Sequence, residues 1–200
     1  MLKVILFDCD GPIIKRVKYF SQRLKEDRGI IVDPENITSF FKTDFIDCEL
    51  GKKDLREQLV KWIPVWNWPG TVEEIMDYWF SGEATVDLEM KEYILGLRSK
   101  GIKCYLSTNN EKYRVEYLWK VAGLKNILDD KLPSAELGYL KPDINFWQEA
   151  YNRIPKVEKS EVLVLDDEQS AIDSAKEFGF NAEFYTNFPD FKQQMVKYNL

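Results

Sequence analysis

The chain has 200 residues, 44% hydrophobic and 31% charged, which suits one domain carrying a modest insertion and argues against disorder. Its 28 Lys and Arg stand against 34 Asp and Glu, a net charge of −6, a poor match for a nucleic-acid surface with its clustered basic residues. Histidine is absent, which excludes a Ser-His-Asp or Cys-His nucleophile, His-ligated zinc and phosphohistidine chemistry. Acid–base work falls to carboxylates, lysine, tyrosine or water.

Val4–Phe7 is a β-branched and aromatic run ending in acidic residues and Gly11, and it reads as a fully buried strand. The apolar stretch containing it is cut off by Asp8, too early for a signal peptide or a membrane span. From Pro12 to about Gly82 the texture turns helical, with segments predicted at Arg16–Arg28, Thr38–Asp47, Lys53–Trp62 and Val72–Phe80. Four of the six tryptophans lie there: Trp62, Trp66, Trp68 and Trp79. Their expected place is a helix-packing core, with Trp66 or Trp68 the candidate for lining an entrance because they flank a Pro-rich turn. Lys15, Arg16 and Lys18 are expected on a solvated helix face, the alternative being contact with an anionic substrate.

Beyond Thr85 the chain alternates. Helices are predicted at Val86–Ser99, Lys112–Ala122, Asp143–Arg153 and Ser170–Phe178, strands at Ile102–Leu106, Glu161–Leu165 and Asn181–Tyr185, and a polar helical tail near Phe188–Lys197. This alternation implies right-handed βαβ units and a doubly wound α/β core with a parallel sheet, its first strand separated from the rest by a helical insertion. Cys9, Cys48 and Cys104 are odd in number, widely spaced and without a C-x-x-C pair, so they suggest neither a disulfide framework nor a zinc site. Together with the short N-terminal apolar run, they make a reducing, cytoplasmic setting the expectation.

In such folds ligands sit beyond the C-terminal ends of the strands. Three apolar runs end there in polar groups: Asp8-Cys9-Asp10-Gly11, Ser107-Thr108-Asn109-Asn110 and Asp166-Asp167, while Lys141-Pro142-Asp143 opens a helix. Each has a bland reading alone, as a helix cap or a loop lysine. Asp8 and Asp10, two residues apart, point to one side of an ideal strand, and such carboxylates repel unless a cation lies between them or one is protonated. Many carboxylates without His or Cys describe a hard-cation site, for which Mg²⁺ is the natural occupant. Lys141 and Thr108 supply a point charge and a hydroxyl for phosphoryl oxygens.

Taken in order, these four motifs resemble those of the haloacid dehalogenase (HAD) superfamily of aspartate-nucleophile hydrolases, in the subclass with a helical cap. The resemblance spans the whole chain. It implies a Rossmann-like core of residues 1–12 and 85–200, with residues 13–84 forming a mobile helical cap. It implies Asp8 as nucleophile, Asp10 as acid and base, and Thr108 and Lys141 holding the phosphoryl oxygens, with Asn109 touching phosphoryl group or substrate. Mg²⁺ would be held by Asp8, the backbone carbonyl of Asp10 and Asp167, with Asp166 supporting. Two positions depart from the pattern. Pro12 stands where Thr or a small β-branched residue is commoner, and Ala171 stands where Asp or Asn is frequent, leaving the metal's outer shell one polar group short.

The function so implied is a Mg²⁺-dependent phosphatase acting on a small phosphorylated metabolite, with no nucleic-acid or membrane partner. A phosphomutase of the same superfamily shares the nucleophile and metal and shields the phospho-Asp from water. From another class, a receiver-like signalling module or a binding protein would use the same phosphorylatable Asp, although the helical insertion of roughly 70 residues is foreign to compact receiver modules. No G-x-G-x-x-G occurs, which sets a dinucleotide enzyme aside.

Overall fold

The computed structural model describes residues 1–15 and 17–200. In chain order the elements are β1 (Val4–Phe7), α1 (Phe20–Arg28), α2 (Pro34–Lys42), α3 (Asp44–Glu49), α4 (Leu55–Val65), α5 (Val72–Gly82) and α6 (Leu88–Ser99). They continue with β2 (Lys103–Thr108), α7 (Lys112–Lys120), β3 (Asp130–Pro133), α8 (Ser134–Leu137), α9 (Ile144–Arg153), β4 (Val162–Asp166), α10 (Gln169–Phe178), β5 (Asn181–Phe184) and α11 (Phe188–Val196). The five strands form one parallel sheet in the order β3-β2-β1-β4-β5, with β1 central between β2 and β4.

β1 is apolar at every position because both faces of the sheet are covered, as parallel sheets require. Ile5 and Phe7 face one layer with Met90, Ile94 and Leu97 of α6 and Phe191 and Met195 of α11. Val4 and Leu6 face the other, against Phe146, Trp147 and Ala150 of α9 and Ile172 and Ala175 of α10. The period-2 alternation of a strand thus divides one short run between two cores. A third core joins α1 to α5, where Phe20, Phe40, Trp66 and Trp79 are buried and pack ring to ring.

Several helices start where side chains cap them. Asp33 caps α2 with Pro34 in its first turn, Asp54 caps α4, and Thr71 with Glu74 forms a capping box on α5. Asp87 caps α6 by accepting from the N–H of Glu89 and Met90, so that helix begins at Leu88. Val86, expected inside it, instead bridges to Ile14. The helix expected over Thr38–Asp47 is two helices, broken at Thr43, whose φ of −125° and ψ of −87° are not helical. α1 begins at Phe20 and not at position 16; Arg16 lies outside the described residues. β3 was not expected from the sequence: Asp-Lys-Leu-Pro lacks β-branched residues, and as an edge strand only half of it is buried. No helix among the described residues is long and apolar enough to cross a membrane.

Candidate active site

The register of the sheet sets the ends of β1, β2 and β4 side by side: Phe7 is opposite both Leu106 and Leu165. Asp8 follows β1, Thr108 ends β2, and Asp166 ends β4 with Asp167 just beyond. The backbone N–H of Asp8 donates to the Leu165 carbonyl at 2.8 Å, fixing the first carboxylate beside the fourth strand. Lys141 arrives from the loop between α8 and α9. That loop is anchored at both of the residue's backbone groups: its N–H donates to Asn109 Oδ1 at 2.9 Å, and its carbonyl accepts from Ser174 Oγ at 2.7 Å. The Lys141 ammonium donates to Asp8 Oδ1 and to Asp166 Oδ2, each at 2.6 Å, and all three side chains are buried.

Oxygens of Asp8, Asp166 and Asp167 lie within 4.8 Å of one another. Asp166 spends one oxygen on Lys141 and the other on the N–H of Glu168 at 2.9 Å. Asp167 is exposed. Gly11, at φ +95°, makes room for it: a Cβ there would stand 2.4 Å from Asp167 Oδ2. An all-oxygen group of carboxylates around such a cleared space fits a hard divalent cation. Burial pushes the Asp8 carboxyl well above its ordinary range; Lys141 pulls it down, and the charges of Asp166 and Asp10 push it up further. Burial raises Asp167 as well, with the Asp166 charge adding. Burial works against the Lys141 charge, but its two carboxylate partners outweigh this and hold the ammonium above its ordinary value.

Asp10 lines the same cavity with a different partner. Arg114 of α7 grips it through both nitrogens of the fork, Nη1 to Oδ2 at 2.8 Å and Nη2 to Oδ1 at 2.7 Å. β1 stops at Phe7, so the two carboxylates have separate side-chain partners: Asp8 is held by Lys141 and Asp10 by Arg114. Arg114 is itself placed by Glu111, whose side chain caps α7 by accepting from the N–H of Tyr113 and Arg114. Burial raises Glu111 to about 7 despite those two bonds. Thr108 is buried and accepts from Asn110 Nδ2 at 3.2 Å, leaving its hydroxyl proton free to donate.

Two cavities meet here. One, of about 330 Å³, is lined by Asp8, Asp10, Thr108, Asn109, Lys141, Asp167, Glu168 and Glu49. The other, of about 320 Å³, lies under the helical segment; Phe20, Phe41, Phe45 and Trp79 wall it on one side and Arg114, Asn110 and Glu83 on another. Glu49, at the end of α3, borders both, and burial raises its carboxyl to about 8. Asp8, Asp10, Thr108, Asn109, Lys141, Asp166 and Asp167, the site residues expected from sequence, thus gather at one place. Arg114, Glu49 and Glu111 were missed: Arg114 reads as one charged residue in a helical pattern, Glu49 and Glu111 fall just outside the predicted helices, and none carries a local mark of burial.

Neither Trp66 nor Trp68 borders these cavities; Trp66 is in the aromatic core, and Trp79 does the lining. Lys15 is paired with Asp87 and Lys18 with Glu26, on the surface but ahead of α1 and not on the helix face expected, while Arg16 is outside the described residues. Pro12 sits in a turn that Ile13 and Ile14 close onto the Cys9 carbonyl, so its missing N–H is not needed. Ala171 is fully buried among Phe146, Trp147 and Ile172.

A D-ribitol-5-phosphate phosphatase from Bacteroides thetaiotaomicron is 29% identical to this chain over 98% of each. Among solved structures, a HAD family enzyme from the same organism, in complex with magnesium, superposes with a TM-score of 0.80 at 17% identity over 97% of this chain and 98% of that one. A HAD-like hydrolase from Porphyromonas gingivalis gives a TM-score of 0.76 at 20% identity over 98% of both chains. The family model for haloacid dehalogenase-like hydrolases matches residues 2–179, and the chain belongs to that family.

Proposed function

We propose that this protein is a Mg²⁺-dependent phosphatase that hydrolyses a small phosphorylated metabolite through an aspartyl-phosphate on Asp8. The observation that carries the reading is the buried Asp8–Lys141–Asp166 cluster at the strand ends, with Thr108 and Asp167 around the same cavity. Asp8 attacks phosphorus, the bond to the ester oxygen breaks, and Asp10 gives that oxygen a proton. Asp10 then takes a proton from water as the water oxygen attacks phosphorus; the bond to Asp8 breaks, inorganic phosphate leaves, and Asp8 is restored. Lys141 and Thr108 hold the phosphoryl oxygens, and Asn109 supports Lys141 through the backbone.

Asp8, the Asp10 carbonyl and Asp167 would hold Mg²⁺, with Asp166 supporting. The ion would neutralise phosphoryl and carboxylate charge in a buried place. Residues 13–84 would act as the cap that excludes water, over a core of residues 1–12 and 85–200. A cytoplasmic setting accords with three buried free thiols. The named relative makes pentitol phosphates the first substrates to try.

The test is phosphate release from p-nitrophenyl phosphate and a panel of sugar and polyol monophosphates, with Mg²⁺, with EDTA, and with Asp8→Asn. Turnover that needs Mg²⁺ and vanishes in Asp8→Asn is the expected result. Stable labelling of Asp8 by acetyl phosphate without phosphate release would move the reading to a phosphomutase or a receiver-like role. The absence of both turnover and labelling would overturn it.

A further inference from the structure

The two cavities share three residues: Asp10, Asn109 and Glu49. If Asp10 protonates the ester oxygen, as the proposed reaction requires, that oxygen sits at the junction, and the aromatic chamber is where the leaving group goes. Of the three residues at the junction, Glu49 alone comes from the helical segment. It is half-buried and makes no hydrogen bond or ion pair with any described residue. A carboxyl taken from water without a donor carries a desolvation cost that a ligand's own donor removes.

We propose that Glu49 is a specificity-determining residue whose carboxyl group exchanges a hydrogen bond with a hydroxyl near the phosphoester of a neutral, polyhydroxylated leaving group. This rests on the phosphatase reading and narrows it to monophosphates of small uncharged polyols and sugars. The chamber walls agree. Phe20, Phe41, Phe45 and Trp79 offer faces to carbon and C–H groups, while the polar wall offers amide and carboxyl groups to hydroxyls. At the ~30 Å³ that a water takes in the liquid, about 320 Å³ is room for about ten non-hydrogen atoms. Arg114, the one cation among the described lining residues, is taken up by Asp10, so a second phosphate or a carboxylate on the leaving group would enter the chamber with nothing to pair it.

The experiment compares kcat/KM with Mg²⁺ for a pentitol monophosphate, 3-phosphoglycerate, a sugar bisphosphate and acetyl phosphate, in wild type, Glu49→Ala and Glu49→Gln. Acetyl phosphate serves as the reference because its leaving group has no hydroxyl and does not fill the chamber. Deleting the carboxyl leaves a substrate hydroxyl without its partner, about a 10- to 100-fold effect. Wild type is expected to favour the pentitol phosphate over both doubly anionic substrates by at least that factor. Glu49→Ala should lower its kcat/KM about 10- to 100-fold more than that of acetyl phosphate, and Glu49→Gln should recover part of the loss. Equal losses on pentitol phosphate and acetyl phosphate, or a wild type that takes the bisphosphate as readily, would overturn the inference and leave the phosphatase reading intact. Absence of turnover on every substrate, acetyl phosphate included, would overturn both.

Discussion

Arg114 offers the sharpest test of how the site is built. Its guanidinium is 5% exposed and grips Asp10, itself 25% exposed, through two bonds of 2.7 and 2.8 Å. Burial works against the Arg114 charge, and the Asp10 carboxylate more than offsets it, keeping the guanidinium above its ordinary value. Arg114→Met keeps the stem and the packing and deletes the fork. Removing one partner of a buried ion pair costs about 3–5 kcal/mol. Water reaches a quarter of Asp10, so the cost should fall at or below the lower end, about 2–3 kcal/mol. At roughly 2–4 °C per kcal/mol for a chain of this size, Tm should drop by about 4–12 °C.

Stability alone does not distinguish a strut from a positioning residue, and the pH profile does. A guanidinium against Asp10 favours the charged carboxylate; without it the protonated form gains. In the proposed reaction Asp10 must carry a proton to release the leaving oxygen, so the basic limb of kcat/KM should move to higher pH in Arg114→Met. The assay is kcat/KM against pH beside thermal melts, with Asp10→Asn and the double variant closing a thermodynamic cycle. A coupling above about 1 kcal/mol is expected. A limb that stays in place while Tm falls would refute the reasoning and reduce Arg114 to a brace between α7 and the loop after β1.

Three further outcomes follow from distances and burial. Lys141→Met leaves Asp8 and Asp166 without their shared ammonium; turnover should be lost and stability should fall by about 3–5 kcal/mol in EDTA, with Mg²⁺ raising Tm more than it does in wild type. Gly11→Ala places a Cβ 2.4 Å from Asp167 Oδ2 at a φ of +95°, so calorimetric titration should show Mg²⁺ affinity at least about tenfold weaker. Glu49 and Glu111 hold their protons to about 8 and about 7, while in the unfolded chain each ionises near the ordinary Glu value of about 4.3. Between those values the folded state binds more protons, so urea melts should show stability falling as pH rises from about 5 to 8, and Glu49→Gln should flatten part of the slope.

The sequence carried the core of this site because the chemistry sits where the local signals are strongest. An apolar run that stops at an acid marks the end of a buried strand, and β1, β2 and β4 each stop in that way, bringing Asp8, Thr108 and Asp166 together once the sheet forms. Capping residues marked the helix starts, although Asp87 and Asp54 begin their helices a residue or two later than periodicity suggested. β3 escaped because its four residues have neither the alternation nor the composition of a strand and are held by pairing with β2. The break at Thr43 escaped because Thr38–Asp47 keeps a helical pattern straight through it.

The side chains that face the leaving group were hidden for a different reason. Arg114 and Glu49 lie 104 and 39 residues from Asp10, farther than a short motif spans; Arg114 reads as an ordinary charged position on a helix and Glu49 as one just past a helix end. What singles them out is burial, and burial of a charge is a property of the packed chain. α7 turns Arg114 inward because Val115 and Leu118 on the same helix are buried in the core, and a residue one position from Val115 is carried in with it. α3 ends at Glu49 with Phe45 and Cys48 packed inward, which leaves its last carboxyl over the junction of the two cavities. The phosphoryl half of the site is therefore written in strand ends, and the half that would choose the substrate is written in which face a helix buries. Substitutions on the inward faces of α3 and α7 should accordingly alter substrate preference, whereas those at the strand ends should abolish turnover on every substrate alike.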